Sequence, residues 1–285
     1  MNTTPIHFLN GNFVDEASLV VSVRDLGFMR GYAVFDFLIT YRGQKPFMLD
    51  RHIDRLFNSA ALIGLALPAA WTKAQVREWV MATLAKNADG KEKAIKIVLS
   101  GGPAHALLPE AAAPTIAILI DTREPFPEDY FTKGIGVTAV KFRRYTPAAK
   151  SNNYIEGVKA AQAAAKIGAV EPVYYDDAQV YEGASSNIFA VIGGKLATPA
   201  SNILEGVTRM VLLEILPAAG VPVEVRDFSI DELRGASEAF LAASNKEIMP
   251  VTKIDGAPVG DGAVGPITQK VMEVFREFTA SDKWQ

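Results

Sequence analysis

Strand-like and helix-like patterns follow one another along this chain in no fixed rhythm, and that constrains its fold more than any other feature. "IHFLNGNFVD" is two short apolar runs around Asn10-Gly11, a dipeptide that favours the tight turn of a hairpin. From Asp50, a fair N-cap, "DRHIDRLFNSAALIGL" sets Ile53, Leu56, Phe57, Ala60 and Ile63 on one helical face. Thr72 and Gln75 have capping-box spacing for a helix that carries Val76, Trp79, Val80 and Leu84. "AIKIVLSGG" and "TIAILI" read as buried strands. Further on, "IGVTAVKF", "EPVYYD", "VPVEVRDF" and "EAFLAAS" read as strands, and "NIFAVIGGKLATP" as a hairpin turning at Gly193-Gly194. "YIEGVKAAQAAAKIGA", "VTRMVLLEIL" and "ITQKVMEVFREF" have helical periodicity. A doubly wound sheet needs a regular βαβ alternation, which this order lacks, so the pattern predicts an α+β fold of two mixed domains. "DTREPFPED", charged and with two prolines, is the linker candidate. It gives a first domain over 1–121, a linker over 122–129 and a second domain over 130–285, a length that suits two cores.

Composition narrows the function. A net charge of −3 offers no basic field to nucleic acid or anionic lipid. No apolar run approaches the roughly 18 residues of a membrane helix, and the start lacks the regions of a signal peptide. Zero cysteines exclude disulfides, thiolate metal sites and cysteine nucleophiles. The expectation is a cytoplasmic protein with neither nucleic acid nor membrane as partner. His7, His52 and His105 are scattered without metal-ligand spacing, so no metal site is expected. His7 lies in a strand and reads as structural. His52 opens a helix and reads as a surface or first-turn residue. His105, in the Gly/Pro loop "SGGPAHALLP", is a functional candidate, because loops carry function more often than cores do.

Two stretches carry chemistry. "AAKSNNY" isolates Lys150 from other charges, among small and hydrogen-bonding residues. "YEGASSNIFAVIGGKLATPASNILEGVTRMVLLE", Tyr181 to Glu214, holds an acid, a serine pair, an asparagine and a Gly-Val-Thr-Arg turn that leads straight into a helix. A helix N-terminus offers free N–H groups and a positive dipole end, a ready phosphate site. Equally, Thr208 could simply cap its helix. "GGK" at Gly193–Lys195 lacks phosphate-loop spacing and is a hairpin turn.

Taken in order, these segments resemble a known family. Glu182, a run of small residues, Asn187-Ile188-Phe189, Leu196-x-Thr198 and Leu204-x-Gly206-Val207-Thr208-Arg209 resemble the signature of class IV aminotransferases, pyridoxal-phosphate enzymes of the branched-chain and D-amino acid transaminase fold. "LGFMRGYAVFDFL", "HIDRLFNSA", "AKSNNY" and "SNKEIMPVTKIDG" resemble further segments of that family, so the likeness spans nearly the whole chain. The loop from Thr198 to Leu204 is a residue or two shorter than the usual one.

The resemblance implies a small N-terminal and a larger C-terminal domain with pyridoxal 5'-phosphate in the cleft between them. It also implies a homodimer in which the partner's small domain closes each site. Lys150 would be the Schiff-base lysine and the catalytic acid–base group; such a lysine must be a neutral amine when it attacks, which desolvation among small residues favours. Glu182 would face the pyridine nitrogen, Tyr154 the phenolic oxygen and Ser185 the ring edge, with Leu204 packed on the ring. Arg55 would bind the phosphate as a fork of donors. Val207 and Thr208 would reach the phosphate from the helix start, and Ser244 and Asn245 would complete the phosphate or substrate end from a late turn. Arg30, Phe35 and His105 would lie on the substrate side.

The implied reaction moves an amino group between an α-amino acid and an α-keto acid. Arg30 stands where most of the family has an aromatic or apolar residue, and it favours a D-amino acid by supplying a clamp for the substrate carboxylate. "GPAHA" keeps the histidine of the usual D-specific loop, as His105, but not its arginine. A branched-chain L-amino acid transaminase is the alternative, followed by a pyridoxal-dependent lyase of the aminodeoxychorismate lyase type.

Overall fold

The computed structural model describes residues 4–107 and 114–284. They form two compact units, one drawn from 1–124, 149–153 and 284–285, the other from 125–148 and 154–283. Among the described residues no helix is long and apolar enough to cross a membrane.

The first unit starts with a hairpin, β1 (Ile6–Leu9) and β2 (Asn12–Asp15), that turns on Asn10 (φ 48°) and Gly11 (φ 93°). Two positive φ values define the turn type whose twist matches paired strands, which is why Asn-Gly marks it. There follow α1 (Leu26–Arg30), β3 (Ala33–Tyr41), β4 (Lys45–Pro46), α2 (Leu49–Leu62), α3 (Lys73–Ala85), β5 (Lys93–Ser100) and β6 (Thr115–Thr122). The strands make one antiparallel sheet in the order β2-β1-β6-β5-β3-β4. Leu49, Ile53, Leu56 and Ala60 of α2 pack with Val34 and Leu38 of β3 and Ile95, Ile97, Ile116 and Ile118 of β5 and β6. Each leucine, isoleucine or valine so withdrawn from water contributes about 1.5–3 kcal/mol. The helix begins at Leu49 rather than after Asp50: Met48 is the N-cap, at φ 49°, and Asp50 lies in the first turn. Thr72 does cap α3, accepting from Gln75 N at 3.1 Å, but the Gln75 side chain donates to Glu78 instead of closing the box.

The second unit runs α4 (Asp129–Thr132), β7 (Ile135–Lys141), α5 (Ile155–Lys166), β8 (Glu171–Tyr175), β9 (Val180–Gly183), β10 (Asn187–Ile192), β11 (Lys195–Thr198), α6 (Val207–Ile215), β12 (Val223–Val225), α7 (Ile230–Arg234), β13 (Glu238–Ala243), β14 (Glu247–Ile254), β15 (Ala257–Pro258) and α8 (Pro266–Ala280). Its sheet has the order β12-β11-β10-β13-β14-β7-β8-β9, with β15 on β14. β7 pairs in parallel with both β14 and β8, and β11 with β12; the hairpin ladders between them are antiparallel. One face buries Ile135, Val137, Val173, Ile188, Leu241 and Met249. On the other, the paired residues Phe189 and Phe240 stack at 4.8 Å. The β10–β11 turn falls on Gly193 and Gly194, both at positive φ. Mixed parallel and antiparallel pairing is the α+β arrangement the irregular element order predicts.

Candidate active site

In the first unit, Lys150 is buried and its segment is sewn to the rest by main chain. Phe35 N donates to Lys150 O (2.9 Å), Asn152 N donates to Ala33 O (2.9 Å), and Lys150 N donates to Ser59 Oγ (3.1 Å). Its Nζ stands 4.8 Å from the centre of the Phe35 ring. The structure therefore brings together Lys150 and Phe35, two of the residues expected from sequence.

Beside them lies a buried polar seam of which sequence reasoning named only Arg55 as a site residue. His52, Arg55 and Ser59 recur at helical spacing on α2, facing β3. Asp36 of β3 accepts from Arg55 through Nε (2.9 Å, to Oδ2) and Nη2 (2.8 Å, to Oδ1), and its Oδ1 lies 2.6 Å from His52 Nδ1. Arg55 thus gives one side of its guanidinium to Asp36, which aims the side chain. His52 is fully buried, not at the surface, because Asp36 supplies the partner its ring needs. Burial opposes ionisation of Asp36, but the charge of Arg55 and the hydrogen bonds from His52 and Arg55 outweigh it and hold the carboxyl well below the usual range. Burial likewise lowers the His52 pKa, against the pull of Asp36.

The signs agree. A histidine kept neutral in the fold takes its proton more readily when unfolded. An aspartate kept ionised holds its stabilising contribution above the ordinary carboxylate pKa and loses it as pH falls towards its lowered value. Both effects weaken the fold on acidification. Denaturant midpoints should fall from pH 7.5 to pH 5.5, through the free-histidine range near ~6.5. His52→Gln, which can still donate to Asp36, should flatten that slope. An unchanged slope in the variant would show that His52 is not the group responsible.

α1 carries Arg30 as its last residue, with Gly31 in the left-handed region as C-cap. Asp25 fixes this corner: it is buried, caps Gly27 N (2.7 Å) and accepts from Ser100 and Thr115 hydroxyls (2.8 Å each). Leu26 N donates to Gly102 O and Ala104 N to Arg24 O, which ties the His105 loop to the start of α1. Arg30 and His105 are both exposed, and the Arg30 guanidinium donates to the adjacent Met29 carbonyl. Exposed Val20, Val21, Val23, Phe28, Met29 and Leu107 belong to the same segments.

In the second unit, Glu182 on β9 is buried, not an exposed strand end. Its Oε1 accepts from Arg144 (2.9 Å) and its Oε2 from Leu204 N (3.0 Å), joining two residues expected from the signature. Asn187 Nδ2 donates to the Leu204 carbonyl (2.9 Å), and a side chain on Gly206 would collide with Asn187 Oδ1. The asparagine and the glycine of the signature thus set where α6 begins. Gly206 is the N-cap and gives α6 no side-chain cap; Thr208 lies buried within the first turn and is not the cap. Tyr154 precedes α5, half-buried. Burial, with Tyr154 and nearby carboxylates adding to it, pushes Tyr174 up to about 12. Ser244 and Asn245 occupy the β13–β14 turn, both half-buried.

Each unit by itself offers groups suited to a phosphorylated aldehyde: the first a buried primary amine and an arginine pre-aimed by a carboxylate, the second a helix start with no side-chain cap. Among the described residues, His52 Nε2 in the first unit and Ser186 Oγ in the second are buried and have no hydrogen-bond partner. Two mixed α+β units of this kind, with a buried lysine in the first, agree with the resemblance to the pyridoxal-phosphate transaminases. Comparison with known proteins makes it particular. Residues 33–254 match the family described as amino-transferase class IV. The chain is 33% identical over 280 residues to the D-alanine aminotransferase of Staphylococcus aureus (strain MW2), covering 96% of this chain and 98% of that one. It is 35% identical over 287 residues to a putative branched-chain-amino-acid aminotransferase of Methanocaldococcus jannaschii, covering 97% and 96%. Among solved structures, a T.th. branched-chain amino acid aminotransferase with pyridoxamine 5'-phosphate superposes with a TM-score of 0.89 at 26% identity, over 97% of this chain and 94% of that one. The chain belongs to the class IV aminotransferases, and its cofactor is pyridoxal phosphate.

Proposed function

We propose that this enzyme transaminates D-amino acids with an α-keto acid acceptor, and that Arg30 and His105 recognise the substrate carboxylate. The observation that carries this reading is the corner built by Asp25. Two side chains suited to an anion stand exposed on segments tied to one another, amid exposed apolar residues. An apolar patch of that kind is covered when a second copy binds. We infer a homodimer in which Arg30 and His105 serve the partner's site. A branched-chain L-amino acid preference is the second reading, favoured by the likeness to the M. jannaschii protein.

When bound, pyridoxal phosphate supplies an aldehyde that bonds to an amine and a protonated ring that accepts electron density from the substrate's α-carbon. In this proposal Lys150 would hold the cofactor, take the substrate's Cα proton as general base and deliver it as acid to the cofactor's aldehyde carbon. Arg55, Val207, Thr208, Ser244 and Asn245 hold the phosphate end. Glu182 keeps the ring nitrogen protonated, Tyr154 donates to the phenolic oxygen, and Ser185 and Leu204 fix the ring. Phe35 walls the substrate side.

The test is a panel of single D- and L-amino acids, followed by the absorbance change of the half-reaction, with wild type and Arg30→Leu. Wild type should convert D-amino acids faster. A charge-assisted hydrogen bond is worth about 1.5–3 kcal/mol, so Arg30→Leu should lose roughly tenfold to a hundredfold in kcat/KM. A primary amine without a carboxylate should lose much less. Equal losses, or none, would remove Arg30 as the clamp.

A further inference from the structure

The late turn contains a second buried lysine with a different set of partners. Lys246 follows Ser244 and Asn245 at the tip of the β13–β14 hairpin, where side chains ordinarily meet solvent, yet it is 5% exposed. Its Nζ donates to Ser185 Oγ (2.6 Å) and lies 2.9 Å from Glu171 Oε2, a close charge pairing rather than an aligned hydrogen bond. Glu171, on β8, is 3% exposed. Its Oε1 accepts from Ser185 N (2.5 Å) and Ser185 Oγ (3.1 Å). The serine hydroxyl therefore accepts from the lysine and donates to the glutamate, so its orientation is fixed. The turn is closed by Lys246 N donating to Ala243 O (3.2 Å) and is followed by Glu247 at φ 53°, a left-handed conformation that a glycine would adopt more readily.

Lysine and glutamate are rarely buried unless paired. Desolvating both offsets most of their attraction, and replacing such a pair with uncharged groups of similar volume is often neutral or stabilising. Stability therefore gives little reason for it. What it does provide is register: it ties the strained turn carrying Ser244 and Asn245 to Ser185, from another hairpin. We propose that Glu171 and Lys246 are positioning residues that, by anchoring on Ser185, hold the late turn in the geometry that grips the cofactor's phosphate end. This rests on the reading that Ser244 and Asn245 contact the phosphate.

The test uses inorganic phosphate and pyridoxal phosphate binding to the apoprotein, with thermal unfolding alongside. Lys246→Met leaves Glu171 charged and unpaired, so both Tm and phosphate affinity should fall. Lys246→Met with Glu171→Gln removes both charges. It should recover the Tm of wild type but still bind phosphate roughly tenfold more weakly, the loss of one good hydrogen bond to a charged group. Recovery of stability without recovery of phosphate affinity is the signature of positioning. If the double variant recovers both, or neither, the pair is structural and the proposal is overturned. Ser244→Ala is the separate control. Should it weaken phosphate binding while the double variant does not, the turn is the phosphate grip and only the positioning role fails. Should Ser244→Ala leave phosphate binding unchanged, both fail.

Discussion

Lys150→Ala should abolish transamination and leave the chain folded. Removal of an acid–base group alone costs on the order of 10²–10⁴-fold, and this variant also loses the amine proposed to hold the cofactor. The fold should tolerate the change because the segment is fixed by main chain. The bonds from Lys150 N to Ser59, from Phe35 N to Lys150 O and from Asn152 N to Ala33 O need no lysine side chain. Circular dichroism and unfolding curves should match wild type. Borohydride reduction of the holoenzyme followed by mass measurement gives a readout independent of turnover: wild type should gain the cofactor's mass covalently, and the variant should not. A folded Lys150→Ala that still gains that mass, or turns over near the wild-type rate, would put the attachment elsewhere.

Lys150 stood out in the sequence because it is alone among small residues in a segment of family spacing, and the structure buries it beside Phe35. The α2 face, the Asn10-Gly11 hairpin and the α6 start were legible for a similar reason, since each is set by neighbours in sequence. The buried ionic groups were not. Asp36 meets His52 and Arg55 only because α2 packs across β3, and nothing in "HIDRL" says that its histidine turns inward. Arg55 read as a fork open to phosphate; the structure shows Asp36 taking one side of it. Lys246 lies inside "SNKEIMPVTKIDG", and nothing in that stretch marks it as buried. Its partner Glu171 lies on a strand far off in sequence, and pairing across a sheet leaves no local periodicity. Glu182 was singled out in the sequence and its partner Arg144 was not, because the two meet through chain folding rather than spacing.

That arginine bears on the last expected result, which concerns Glu182→Gln. The proposal gives Glu182 a catalytic charge; the alternative is that it serves only to neutralise Arg144. Glutamine preserves the shape and can still accept from Leu204 N, so the loop before α6 should keep its place. What is lost is the anion. Without it the ring nitrogen holds its proton less firmly, and the substrate's Cα proton becomes harder to remove. Loss of a preorganised electrostatic partner costs on the order of ~10²-fold or more, so the half-reaction should slow by that much while cofactor is still retained. With an α-deuterated amino acid, the isotope effect should grow relative to wild type, because proton removal then limits the rate more completely. A glutamate that only neutralised Arg144 would behave otherwise. Its substitution would lower Tm, Arg144→Met would restore Tm in the double variant by removing the unpaired charge, and the isotope effect would stay at the wild-type value throughout. An unchanged half-reaction rate in folded, cofactor-loaded Glu182→Gln would place Glu182 outside the chemistry.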